Sequence, residues 1–293
     1  ELNELIKELS LILKDENRLK EIIKEEIEDL RKYSTKRRTE VSDNYEDIDI
    51  EDLIPNEPMV ITMTHNGYVK RVPIKSYEMQ RRGGKGKTAV KTHEDDFIEK
   101  FFISNTHDTL LFVTNLGQLY WLKVYKIPEA SRTAKGKAVV NLINLKQDEK
   151  IMATIPTTDF DKSKSLAFFT KNGIVKRTSL NDFSNIRTNG VRAIVLDEND
   201  EIVTAQITLP ESKFLMVFTA LGQVIRFDMD KTRCQGRTTR GVRGIKFKDE
   251  SDYVVDADVI EDEQQELLTV SEKGVGKRTE VEEIGRASCR ERG

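Results

Sequence analysis

The chain has 293 residues, 37% hydrophobic and 34% charged, with a formal net charge of −3, so a core is attainable beneath a heavily ionised surface and more than one ordinary domain fits. No run approaches the roughly 18 apolar residues of a membrane span, and no signal peptide is visible. Two cysteines, Cys234 and Cys289, make no disulfide framework and point to a reducing, cytoplasmic setting, with Cys234 expected to be free and partly buried. The charge is uneven: residues 1–57 hold 10 Lys and Arg against 18 Asp and Glu, residues 58–293 hold 38 against 33, a split that suggests different partners for the two parts.

From Glu1 to Lys32 the apolar positions Leu2, Leu5, Ile6, Leu9, Ile12 and Leu13, then Leu19, Ile22, Ile23, Ile27 and Leu30, fall at spacings of three and four, the pattern of amphipathic helix. The stripe lapses at Lys14-Asp15-Glu16-Asn17, where Asp15 is placed to cap a second helix and Glu16 suits its first turn. An amphipathic helix opening the chain implies an upstream partner, and its bare stripe would be an association surface. Residues 1–40 are assigned to this helical part. Residues 41–57 are acidic and poor in large apolar groups, an expected linker that repels itself and buries too little to order.

From Met59 the period changes to short strands, with self-similarity at about fifty residues. Thr64-His65-Asn66-Gly67-Tyr68-Val69-Lys70-Arg71 is echoed from Thr114, Thr170, Thr219 and Ser271, with turn glycines Gly67, Gly117, Gly173, Gly222 and Gly274 spaced by 50, 56, 49 and 52 residues. In each copy an apolar strand meets a turn where glycine supplies positive φ, and a strand returns. A second glycine follows 19 residues later at Gly86, Gly136 and Gly241, and 17 later at Gly190, each ahead of a further strand. A last strand, such as Phe97 to Ile103 or Ile202 to Ile207, closes the unit. The expected fold is mainly β: a propeller-like array of four-stranded blades over 58–282, in which radial repetition protects sheet edges.

The basic residues recur by repeat position. The loop between the two glycines carries Arg81, Arg82 and Lys85 in the first copy, Arg132 and Lys135 in the second, Arg187 in the third, and Arg233, Arg237 and Arg240 in the fourth; just past the second glycine stand Lys87, Lys137, Arg192 and Arg243. Radial blades would bring these onto one rim. The acidic residues gather in the later hairpins, at Asp95-Asp96, Asp148-Glu149, Asp197 to Glu201 and Asp249 to Asp252. A curved basic rim suits bent duplex DNA held mainly through phosphates. The scarcity of aromatics beside these positions argues against single-strand stacking. The densest stretch is Gln80-Arg81-Arg82-Gly83-Gly84-Lys85-Gly86, where backbone N–H groups and forked donors suit a polyanion.

That stretch resembles the seven-residue box of DNA gyrase A subunits, in the first blade of their DNA-wrapping domain, a six-bladed β-pinwheel. The opening helices with Arg37-Arg38-Thr39-Glu40 resemble the end of the family's breakage–reunion domain. The resemblance covers roughly residues 1–282. It implies that Arg81, Arg82 and Lys85 contact phosphates, that Gly83, Gly84 and Gly86 shape the loop, and that the other rim residues follow by position. It further implies DNA wrapping in support of ATP-dependent negative supercoiling, the partners being duplex DNA, a second A subunit, and the B subunit of gyrase. ATP and Mg²⁺ would be held by the holoenzyme through that partner subunit rather than by this chain. The family's catalytic tyrosine lies in the upstream domain, so this chain alone is expected to be inactive. On the family pattern the chain stops inside the fifth blade and leaves an edge uncovered. Glu283 to Arg292 departs from the repeat, and residues 283–293 are expected to be a non-native tail.

Catalytic signatures are otherwise missing. His65, His93 and His107 lack metal-ligand spacing, and Lys85-Gly86-Lys87-Thr88 lacks the upstream glycine and following helix of a P-loop. Two alternatives stay open: the A subunit of topoisomerase IV, which generally lacks an intact box, and a propeller-like interaction scaffold, which has no use for repeated rim cations.

Overall fold

A computed structural model of the chain describes residues 1–33, 50–77, 96–185, 189–271 and 273–284. It divides into two units, Glu1–Asp49 and Ile50–Gly293. In the first, α1 (Leu2–Lys14) and α2 (Glu16–Leu30) are separated at the expected place. Asp15 is extended, and its carboxylate accepts a hydrogen bond from the Asn17 N–H at 3.0 Å, ending one helix and capping the next. Neither helix buries a residue, and Leu2, Leu5, Leu9, Leu13, Leu19, Ile23 and Leu30 stand exposed along the stripe.

The second unit is built from β-hairpins. The first repeat supplies β1 (Pro58–Thr64), β2 (Tyr68–Pro73) and β3 (Ile98–Asn105); the second β4 (Thr109–Thr114), β5 (Gln118–Lys123), β6 (Lys137–Ala138) and β7 (Ile151–Thr157). The third supplies β8 (Ser165–Thr170), β9 (Ile174–Ser179), β10 (Val191–Arg192) and β11 (Ile202–Thr208). The fourth supplies β12 (Phe214–Thr219), β13 (Val224–Asp228), β14 (Val242–Arg243) and β15 (Val254–Ile260), and the fifth β16 (Glu266–Val270) and β17 (Gly276–Glu280). All five hairpin glycines have φ between 74° and 83°, a region that L-residues with a Cβ resist.

A sheet is not one repeat. The orders are β3-β1-β2-β6, β7-β4-β5-β10 and β11-β8-β9-β14, then β13-β12-β15 and β16-β17. The short third strand of the second, third and fourth repeats leaves its own hairpin and pairs with the preceding one, in Val69↔Lys137, Leu119↔Val191 and Val175↔Val242. The expectation of four contiguous strands per blade is corrected accordingly. These strands are two residues long, so their place is set by what they cross and not by strand propensity.

The core lies between sheets. Leu110 and Phe112 pack toward Met59, Ile61 and Met63, whereas Leu111 and Val113 pack toward Leu166, Phe168, Leu180 and Phe183. Ala167 and Phe169 join Leu215 and Val217 in the next layer. Both faces of β4 and β8 are therefore covered, which is why their sequences are unbroken apolar runs rather than alternating ones.

Two boundaries and one burial differ from expectation. Residues 50–57, assigned to the linker, dock on the second unit: Ile50–Leu53 forms a 3-10 turn, Lys123 Nζ pairs with Glu51 at 2.8 Å, and the Glu57 N–H donates to Thr106 Oγ1 at 2.9 Å. Long-range polar contacts hold what local composition leaves unordered. The repeat also reaches past 282, because Val281–Glu283 forms the same 3-10 turn that Met229–Lys231 forms one repeat earlier. Ile284 packs beside Phe214, Met216 and Val281; residues 285–293 lie outside the described residues. Cys234 is free but exposed rather than partly buried, since it sits on the loop crossing β9 and not in a layer.

One acidic residue in each of the first, third and fourth repeats has a structural task that charge counting missed. Asp96 accepts from the Asn66 N–H, Asp200 from the Asn172 and Glu201 N–H groups at 3.0 Å each, and Asp252 from the Leu221 and Tyr253 N–H groups at 3.0 Å each. All three residues are buried. Asp200→Ala leaves two turn amides without an acceptor and is expected to cost about 1–3 kcal/mol, measured as the urea unfolding midpoint; an unchanged midpoint would show that water replaces the carboxylate.

Candidate nucleic-acid interface

The sheets converge along one edge. β7 packs on β11 and β11 on β15, with Gln206 Nε2 donating to the Ala257 carbonyl at 3.0 Å. The short strands β6, β10 and β14 occupy the opposite edge of three consecutive sheets, and they carry Lys137, Arg192 and Arg243, all exposed. Arg192 and Arg243 share one register position, opposite Gln118 and Ile174. Lys137 lies opposite Val69, one residue out of step. A one-residue offset sends the side chain to the other sheet face, so the positional match expected for Lys137 holds for the edge and fails for the face. Among the described residues none of these three cations forms an ion pair.

Between the two glycines of a repeat the basic loops lie across the preceding sheet, and buried cations hold them there. Lys70, 1% exposed, donates through Nζ to the carbonyls of Ser131 (3.4 Å) and Ala134 (2.9 Å) and to that of Arg132. Lys176, fully buried, donates to the carbonyls of Ala193 (2.7 Å), Arg237 (2.8 Å) and Thr239 (3.0 Å). Burial pushes the Lys176 pKa down to about 8, opposed by the charge of Asp182, so the ammonium with its three donors persists at neutral pH. The neighbouring arginines act alike: Arg71 Nε donates to Ile127 O at 2.7 Å, and Arg177 Nη1 to Met229 O (3.0 Å) and Thr232 O (2.9 Å). At the same place in the fourth repeat Arg226 is buried, with Nε and Nη1 lacking hydrogen-bond partners among the described residues and its guanidinium 4.9 Å from the Phe214 ring.

Glycine allows the crossing. A Cβ on Gly136 would lie 2.5 Å from Val69 O, and one on Gly241 would lie 2.8 Å from Val175 O. In the second repeat Tyr120 replaces the lysine; its hydroxyl donates to Glu149 at 2.7 Å, and burial followed by that bond and charge pushes its pKa up. There a Gly190 Cβ would stand 2.6 Å from the ring.

The remaining sequence-predicted residues fall as follows. Lys135 lies over the Tyr68 ring at 3.9 Å, and the Arg132 Nε is buried without a partner among the described residues. Arg233 is exposed and Arg237 half-buried. Arg240 pairs with Asp197, so the expected separation of signs breaks where the acidic turn of the third repeat touches the basic loop of the fourth; the Val195 N–H to Thr239 O bond, 3.1 Å, brings them together. Gln80, Arg81, Arg82, Gly83, Gly84, Lys85, Gly86, Lys87 and Arg187 lie outside the described residues. What sequence reasoning missed was the buried Lys-Arg pair itself, although its signal was present: two adjacent cations in strands otherwise apolar, in the first and third copies. Among the described residues no cluster of His, Cys, Asp and Glu could hold a metal, and no helix is long and apolar enough to cross a membrane.

Known proteins share this repeat. The family described as "DNA gyrase C-terminal domain, beta-propeller" matches residues 58–105, 108–158, 164–208, 213–261 and 265–293, one match per repeat. The chain belongs to the DNA gyrase C-terminal domain family. The DNA gyrase A subunit of Campylobacter jejuni is 55% identical over 322 residues, covering 97% of this chain and 37% of that protein. The chain thus spans about a third of the length of such gyrase relatives. Among solved structures, the C-terminal domain of a DNA topoisomerase IV aligns with TM-score 0.67 at 28% identity, over 80% of this chain and 71% of that one. A DNA gyrase A C-terminal domain aligns with TM-score 0.63 at 29% identity, over 79% and 74%. The backbone therefore fits both topoisomerase classes, and sequence similarity favours gyrase.

Proposed function

We propose that this chain is the DNA-wrapping part of a gyrase A subunit, which bends duplex DNA along the sheet edges bearing β6, β10 and β14. The observation that carries the proposal is the shared register of Arg192 and Arg243 on the same edge of consecutive sheets, exposed and without ion pairs among the described residues. Evenly placed cations on successive blades neutralise phosphates along a curved path with no need to read bases. Gln80 to Lys87, Arg132, Lys135, Lys137, Arg187, Arg233, Arg237 and Arg240 are the further phosphate contacts of this reading, Lys137 from the other face of its sheet edge. In the whole enzyme the wrap supports ATP-dependent negative supercoiling by two A and two B subunits, with ATP and Mg²⁺ bound by the partner subunit, in the cytoplasm on the nucleoid. This chain brings no catalytic group of its own.

The test is a titration with relaxed plasmid over a salt series. Binding is expected to be sequence-tolerant and strongly salt-dependent. Arg192→Ala with Arg243→Ala should lower the log–log slope by about 1.8, roughly 0.9 per lost phosphate contact. An unchanged slope, or no binding by the unsubstituted chain, overturns the proposal.

A further inference from the structure

Lys70 and Lys176 are buried cations that no step of DNA wrapping requires at the surface, and each is placed in one repeat while its acceptors lie largely in the next. We infer that they are positioning residues: each gathers backbone carbonyls of the following repeat's basic loop and so holds that loop's arginines and lysine in the shape that meets phosphate. This rests on the wrapping function proposed above and names what orders its contact loops.

Lys70 takes the carbonyls of Ser131, Arg132 and Ala134, inside the loop that carries Arg132 and Lys135. Lys176 takes those of Arg237 and Thr239, inside the loop that carries Arg237 and Arg240, and adds Ala193 of its own repeat. An isolated short loop rich in arginine would repel itself and sample many conformations. Pinning two or three nearby carbonyls fixes the loop backbone, and with it the directions in which its side chains leave. The ammonium suits this use. It offers three donors in a tripod, and once desolvated each donor needs an acceptor, which the loop carbonyls supply. The second repeat is the internal contrast: Tyr120 commits its hydroxyl to Glu149, so the loop carrying Arg187 receives no ammonium from the residue at that position. The contact loops of the second and fourth repeats therefore receive an ammonium from this position, where the second repeat offers a tyrosine.

The experiment uses the full chain with Lys176→Met, which keeps length and removes the donors, and Lys176→Tyr, which copies a residue the same position already accepts in the second repeat. Amide hydrogen exchange without DNA reads the loop directly. Exchange across 235–241 should rise at least about tenfold in both variants while the β4 and β8 amides stay protected. With relaxed plasmid, Lys176→Met should lower the salt slope by the same amount as Arg237→Ala with Arg240→Ala, at most about 1.8 because Arg240 also pairs with Asp197. The three substitutions combined should lower it no further, since a loosened loop has already forfeited both contacts. Unchanged exchange in both variants overturns the inference, and so does a combined slope loss equal to the sum of the parts. Should the unsubstituted chain bind no DNA, the wrapping proposal falls, and the exchange measurement still decides whether the lysine holds the loop.

Discussion

Gly136→Ala is expected to cost more than about 3 kcal/mol, far beyond the usual effect of one methyl group. Two effects add. The residue sits at φ +93°, where a Cβ is strained by about 1–3 kcal/mol. The new methyl would also stand 2.5 Å from Val69 O and 2.9 Å from Val69 C, and both are backbone atoms of β2 that cannot swing aside. Relief requires the loop to lift, which removes the Val69↔Lys137 pairing and draws Lys70 from its carbonyls. Gly67→Ala is the control, with φ +75° and nothing within 4 Å of its Cβ, for an expected loss of about 1–2 kcal/mol. Urea unfolding of the two variants measures the difference. Equal losses would mean that the crossing is not a close contact in solution and that only φ matters.

Phe168→Ala is expected to lower stability by about 3–5 kcal/mol. Phe168 is fully buried between the second and third sheets, with the Phe183 ring edge-on at 6.1 Å. The sheets on either side are tied together by the exchanged strand β10, so they cannot close on the space a benzyl group vacates, and the cavity term stays near its maximum. Phe101→Ala, at a ring 53% exposed, should fall within about 1 kcal/mol. Because the core lies between repeats, the damage should not stay in one: amides of β5 and β9 are expected to lose exchange protection together. Loss confined to the third repeat would contradict a shared inter-sheet core.

The hairpins, their turn glycines, the repeat length and the Asp15 break were legible because each rests on local rules: short apolar runs, positive φ and capping act within a few residues. The recurrence of basic residues was legible for the same reason. Pairing partners were not. β6, β10 and β14 are two residues long, and only the crossing over a neighbouring strand, at a glycine too close for a methyl, decides which sheet they join. The linker was misjudged for a related reason, since Glu51, Ile54 and Glu57 find partners on residues far away in sequence, at Lys123, His107 and Thr106. Charge signs showed where cations recur but not which of them are buried: Lys70 and Lys176 were composition in the sequence and became loop anchors once burial was known. By itself, then, the sequence determined a repeating β fold with a basic periodicity and a gyrase-like box. Only the tertiary structure decided that each of the first three repeats is completed by the next, because strand exchange and ammonium–carbonyl contacts depend on distances between segments that no local pattern encodes.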